Sequence, residues 1–186
     1  PWLSPTHPRR TTLRSLASDT SFPDQPGGSS SGVDFTNSGA GRKVDAVATR
    51  RAFDIGAMGL LSPFGFSPTG EAFNLTMEDV ATSTAIALQA DKLLFVTEVP
   101  GIHENIADPE SPIDTELALA DAERLLESLP KPQQPVDPAW YLRHCVKACR
   151  GGVERSHILP FAIDGALRLE VFTPDGSGTM VVDEKL

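Results

Sequence analysis

The chain has 186 residues and a formal net charge of −9 at neutral pH, with 16 Lys and Arg set against 25 Asp and Glu. That balance argues against a nucleic-acid or anionic-membrane surface, because phosphate recognition needs clustered cations. No apolar run approaches the roughly 18 residues of a membrane span, and the length suits one α/β domain with its own core.

Residues 1–32 are rich in Pro, Ser, Thr and Gly, and the run from Pro23 to Gly32 has too little apolar side chain to offset its ordering entropy. They read as a disordered or non-homologous leader. Arg9, Arg10 and Arg14 among Ser and Thr share only a composition with transit peptides. The start at Pro1 rather than Met suggests a fragment or a processed product.

From about Val33 the character changes. Val44 to Phe53 mixes charged and small residues and predicts a helix. Ala57-Met58-Gly59-Leu60-Leu61, ended by Ser62-Pro63, predicts a short buried strand. A Gly- and Pro-containing loop leads through Ala72–Leu75 to Thr76, a good N-cap for a helix reaching about Gln89. Lys92-Leu93-Leu94-Phe95-Val96-Thr97 predicts a second buried strand, and a helix ending just before it is the rhythm of a parallel sheet wound by crossovers.

Residues 98–116 read as a Pro- and Asp-rich loop, Leu117–Leu129 as an amphipathic helix, and Pro130–Pro138 as a second proline-rich connection. A helix from Ala139 places Leu142, Cys145, Val146 and Cys149 on one stripe and stops at Gly151-Gly152. Ser156–Leu159 is a strand, Asp164-Gly165 a turn, Ala166–Phe172 a short helix and Thr179–Val182 a last strand. The two cysteines, four apart on that helical stripe, read as small buried thiols with no metal or redox role. Periodicity alone stops at an α/β domain that binds a ligand or transfers phosphate.

Several segments carry a further signal: Gly32–Thr36 with Gly41–Asp45, then Leu61-Ser62-Pro63-Phe64-Gly65-Phe66-Ser67-Pro68-Thr69-Gly70-Glu71-Ala72-Phe73-Asn74-Leu75, then Ala90–Leu93 to Val99–Ile102. Cys145–Arg150 to His157, Asp164–Glu170 and Gly176–Thr179 complete the set. In this order they resemble the amino-acid kinase family, and its N-acetylglutamate synthase branch in particular. The resemblance covers residues 33–186 and implies a three-layer αβα, carbamate kinase-like fold with a mainly parallel sheet. Residues 33–186 would be the C-terminal two-thirds of a kinase-like domain, without the acetyltransferase domain that follows in the family.

In true kinases of this family an Asn holds the amino-acid substrate and an Asp organises catalytic lysines. Here Asn74 persists and Glu78 stands at the Asp position, while Tyr141 stands where a second lysine is expected. Phosphoryl transfer depends on cations at the developing charge, so these are degenerate kinase positions. Read alone, Asn74 is a strand-end residue and Glu78 a first-turn acid favoured by the helix dipole.

Arginine-sensitive members bind free arginine beside a His, a Glu thirteen residues on, and a Gly six further. The resemblance carries these roles to His157, Glu170 and Gly176. A carboxylate can accept a guanidinium bidentately, and backbone at a glycine can come close. Read alone, Glu170 is a surface carboxylate and His157 a satisfied strand-end histidine.

The expected function is therefore a regulatory, arginine-binding module in a cytoplasmic homo-oligomer. Acetyl-CoA would be a substrate of the absent domain, and no cofactor is expected in this chain. The competing readings are an active N-acetylglutamate kinase-type enzyme and a non-functional fragment.

Overall fold

The computed structural model describes residues 44–66, 70–105, 108, 110–129, 137–173 and 176–183. The predicted leader lies outside them. The chain divides into two compact units, 1–83 and 84–186, and each is described by itself.

In the first unit, α1 (Ala46–Asp54) begins at Asp45, whose side chain accepts the Ala48 N–H at 2.9 Å. Strands β1 (Phe64–Phe66) and β2 (Ala72–Asn74) pair antiparallel, Gly65 opposite Phe73. The strand predicted at 57–61 does not form. That stretch is irregular, with Met58 and Leu60 almost fully exposed. An apolar run needs a ladder partner to become a strand, and the only pairing described in this unit begins at Phe64. α2 (Met77–Leu88) starts as predicted: Thr76 Oγ accepts the Asp79 N–H and donates to the Asp79 carboxylate at 2.8 Å, a reciprocal N-terminal cap.

The second unit holds β3 (Lys92–Thr97), the short β4 (Ile102–His103) and β5 (Ile113–Asp114), and β6 (Glu116–Ala118). Next come α3 (Leu119–Ser128), α4 (Pro138–Arg150), β7 (Arg155–Pro160), α5 (Ala166–Phe172) and β8 (Thr179–Val182). One four-stranded sheet has the order β3-β7-β8-β6. β3 runs parallel to β7 and β6 parallel to β8, while β7 and β8 are antiparallel. The sheet is mixed and mainly parallel. Where a loop was expected over 98–116, β4 and β5 form a small ribbon. The predicted helix start at Leu117 is instead strand β6, because Leu117 is drawn into the ladder opposite Val181.

Alternation decides which face each strand residue takes. Phe95 meets Tyr141 and His144 of α4, with ring centroids 5.9 and 6.3 Å apart. Cys149 lies against Ser156 and the Val181 carbonyl. Phe95, Ser156, Ile158 and Val181 therefore face α4. The predicted stripe Leu142, Cys145, Val146 and Cys149 is buried there, and each fully buried Leu or Ile contributes about 1.5–3 kcal/mol. Burial pushes both thiols above their ordinary value, which keeps them neutral. The opposite face carries α5, giving three layers.

The return from α5 into β8 is held tightly. A Cβ on Gly178 would lie 1.9 Å from the Ile158 carbonyl oxygen, so the chain passes β7 only as glycine. Next to it, the buried Thr179 hydroxyl accepts the Ile102 N–H and donates to the Asp114 carbonyl, both at 2.7 Å. One hydroxyl thus ties β4 and β5 to β8. Thr179→Val keeps the shape and strands both backbone groups, and urea unfolding should show a loss of about 2–4 kcal/mol.

Candidate functional site

The strand register sets two rows of side chains on the α5 face of the sheet. Leu94, His157, Met180 and Glu116 are successive ladder partners across all four strands. Two residues earlier along β3 and β7, Lys92 stands opposite Arg155. A buried imidazole and a carboxylate in one row thus have two cations in the next.

α5 closes this face. Gly165, at φ +81°, turns the chain into the helix, a conformation that L side chains rarely adopt. One turn apart, Ala166 and Glu170 are the helix's buried residues. The Glu170 side chain reaches His157, with Oε1 2.5 Å from Nδ1, and Oε2 accepts the Ser177 N–H at 2.9 Å. Both residues are almost completely buried, and the His157 Nε2 has no hydrogen-bond partner among the described residues. With a carboxylate as acceptor, Nδ1 carries the hydrogen and Nε2 is the bare nitrogen. Gly176 sits at φ +46°, and a Cβ there would stand 2.8 Å from Glu170 Oε2. Its role is close approach: only backbone fits beside the carboxylate.

A cavity of about 460 Å³ opens on these groups, lined by Lys92, Glu116, Arg155, His157, Glu170 and Gly176 together with Thr115, Thr173 and Met180. The three residues singled out by their 13- and 6-residue spacing are therefore brought together at one pocket. Lys92, Arg155 and Glu116 were not anticipated. Each looks like an ordinary strand-end charge, and only the register reveals them as neighbours.

Burial is the chief cause that holds the His157 imidazole below its ordinary value. Glu170 opposes that shift, while Lys92 and Arg155 add to it. The neutral ring is thus the form the fold accommodates.

The three degenerate kinase positions are not part of this pocket. Asn74 ends β2, exposed, and Glu78 lies in the first turn of α2, both in the first unit. Tyr141 lies in α4, in the second, packed against Phe95 on the opposite face of the sheet from His157. Among the described residues no group of three or more His, Cys, Asp or Glu could hold a metal ion, and no helix is long and apolar enough to cross a membrane.

This α/β architecture is that of an amino-acid-kinase fold. The family model described as the amino acid kinase family matches residues 17–160, and the chain belongs to that family. It is 51% identical over 157 residues to an amino-acid acetyltransferase of Ralstonia nicotianae, covering 84% of this chain and 33% of that protein. It is 44% identical over 164 residues to the Yersinia enterocolitica amino-acid acetyltransferase, covering 86% and 36%. The chain thus spans about a third of the length of the curated relatives it matches.

Among solved structures it matches N-acetylglutamate synthase from Neisseria gonorrhoeae complexed with coenzyme A and L-arginine. The TM-score is 0.71 at 33% identity, over 95% of this chain and 39% of that one. A carbamate kinase from Giardia lamblia bound to AMP-PNP matches with TM-score 0.58 at 15% identity over 78% and 47% of the two chains, a likeness of fold.

The lowered His157 value has a consequence for stability. A base held below its ordinary 6.5 leaves the fold fully stabilised above that pH, and the stability is lost as pH falls through the folded value. Thermal melts should therefore show Tm falling between pH 7 and pH 5. The acid-side fall should be shallower in His157→Asn, which has no proton to take up.

Proposed function

We propose that this chain is the arginine-binding, regulatory, kinase-like part of an N-acetylglutamate synthase, with residues 33–186 forming the C-terminal two-thirds of that domain. The intact enzyme would transfer acetyl from acetyl-CoA to L-glutamate in the first step of arginine biosynthesis. Acetyl transfer is assigned to a domain outside these 186 residues, and assembly as a cytoplasmic homo-oligomer belongs to the same reading.

The observation that carries the proposal is the Glu170 carboxylate. His157 and Ser177 each donate to one of its oxygens, which leaves acceptor capacity on both, and the residue lines a cavity large enough for an amino acid. A guanidinium presents paired N–H groups that suit such an acceptor. Lys92 and Arg155 line the same cavity and suit the ligand's α-carboxylate. The Neisseria relative, bound to L-arginine and coenzyme A, supports both the ligand and the branch of the family.

Position favours regulation over catalysis. In α/β sheets substrates bind beyond the carboxyl ends of the strands. Lys92 and Arg155 are the first residues of the parallel pair β3 and β7, so this pocket lies at the amino end of that pair. An active kinase is the weaker reading, because the lysine position is taken by Tyr141, whose aromatic ring packs on Phe95 and offers no cation.

Calorimetric titration of the full chain with L-arginine at pH 7.5 tests the proposal. Glu170→Gln should weaken binding by about 10- to 100-fold, the worth of a charge-assisted pair. Gly176→Ala, which drives a methyl onto Oε2, should weaken it comparably. Unchanged affinity in Glu170→Gln would remove the assignment.

A further inference from the structure

We propose that the pocket is a proton-coupled cation site, in which His157 positions Glu170 and must be neutral for a guanidinium to dock, so that binding expels the His157 proton wherever the empty protein carries one. The inference deepens the arginine reading and rests on it.

Geometry sets the coupling. In its neutral form His157 donates Nδ1–H to Glu170 Oε1 and leaves Nε2 bare. A protonated ring would carry a second N–H at Nε2, buried, with no acceptor among the described residues. Burial is the chief cost to that protonated ring, and the charged groups around it divide: Glu170 favours it, while Lys92 and Arg155 oppose it. Lys92 on β3 and Arg155 on β7 are cations, and Glu116 on β6 is the further anion lining the cavity. On α5, Glu170 is in contact and Arg168 is exposed. β8 contributes no ionisable residue between Thr179 and Val182. Asp183, beside Cys149, belongs to the other face.

A guanidinium on Glu170 places another positive charge next to the carboxylate in contact with the ring. Imidazolium and ligand therefore compete for the Glu170 charge, whereas the neutral ring and the ligand share it. His157 is in this sense a positioning residue with a proton-dependent hold. Its ring supports the acceptor and, while neutral, leaves that charge available to the ligand.

Linkage fixes the sign. Above about pH 6.5 the ring is neutral with or without ligand, so affinity is flat. Below the ring's own value, affinity falls with a limiting slope of about tenfold per pH unit, the signature of one displaced proton.

The test is L-arginine calorimetry on the full chain from pH 5 to pH 8, in pairs of buffers with different ionisation enthalpies. The wild type should bind more weakly toward pH 5 and show a buffer-dependent heat there, corresponding to released protons. That heat should vanish at pH 7.5. In His157→Asn the side-chain amide can still donate to Glu170 but cannot titrate. Arginine should bind it somewhat more weakly at pH 7.5 yet with a flat profile and no buffer-dependent heat.

Arginine affinity that is independent of pH in the wild type, or a slope that persists in His157→Asn, would overturn the coupling and leave the arginine reading standing. No binding at any pH would remove both. If His157→Asn fails to fold, imidazole NMR of the wild type decides: the ring must titrate lower with arginine bound than without.

Discussion

α5 is held to the sheet through two buried side chains, and only Glu170 of the two can make a directional bond. Its other long side chains, Leu167, Leu169, Val171 and Phe172, are exposed, so hydrophobic burial fixes neither its rotation nor its height above the strands. The contact between Glu170 and His157 does. It spans helix and central strand, lies almost out of water, and is completed by the Ser177 amide, which brings the chain back from α5 toward β8. A buried charge of this kind is weak evidence for stability in itself, yet removing one partner strands the other at a cost of several kcal/mol. The pair thus fixes one geometry, and the pocket exists because of that geometry.

That constraint organises the residues around it. Gly176 is glycine because the carboxylate occupies the space its Cβ would need, and Gly178 because β7 occupies the space two residues later. Thr179 then enters β8 and ties in β4 and β5 through one hydroxyl. Within four residues, close approach gives way to ladder pairing. A substitution at Gly176 reaches the carboxylate, one at Gly178 reaches β7, and one at Thr179 reaches β4 and β5.

Much of this was legible in the sequence where local chemistry decides the outcome. β3 and β8 fall on the predicted residues, because a continuous apolar run bounded by polar turns has few other ways to satisfy its backbone. Thr76 caps α2, and Gly151 with Gly152 ends α4, for reasons contained in a handful of residues. The strand expected at Ala57–Leu61 failed because pairing requires a partner that composition cannot supply, and β6 was missed because Leu117 fits a helix face as well as a strand. The site divided along the same line. His157, Glu170 and Gly176 were found through the family's spacing, whereas Lys92, Arg155 and Glu116 depend on which strands pair and in what register, which no local pattern encodes.

The arrangement also bears on how a pocket of this kind would tell arginine from lysine. Glu170 already gives one acceptor position on each oxygen to a protein donor, His157 on Oε1 and Ser177 on Oε2. With those donors fixed, the carboxylate plane cannot swing to follow a ligand, and what remains is one free position per oxygen. A planar fork with two parallel N–H groups can use both free positions together, while a tetrahedral ammonium meets the pair as a point charge. Discrimination would then come from immobilising the acceptor rather than from any group aimed at the ligand. The buried histidine and the Ser177 amide would achieve that immobilisation.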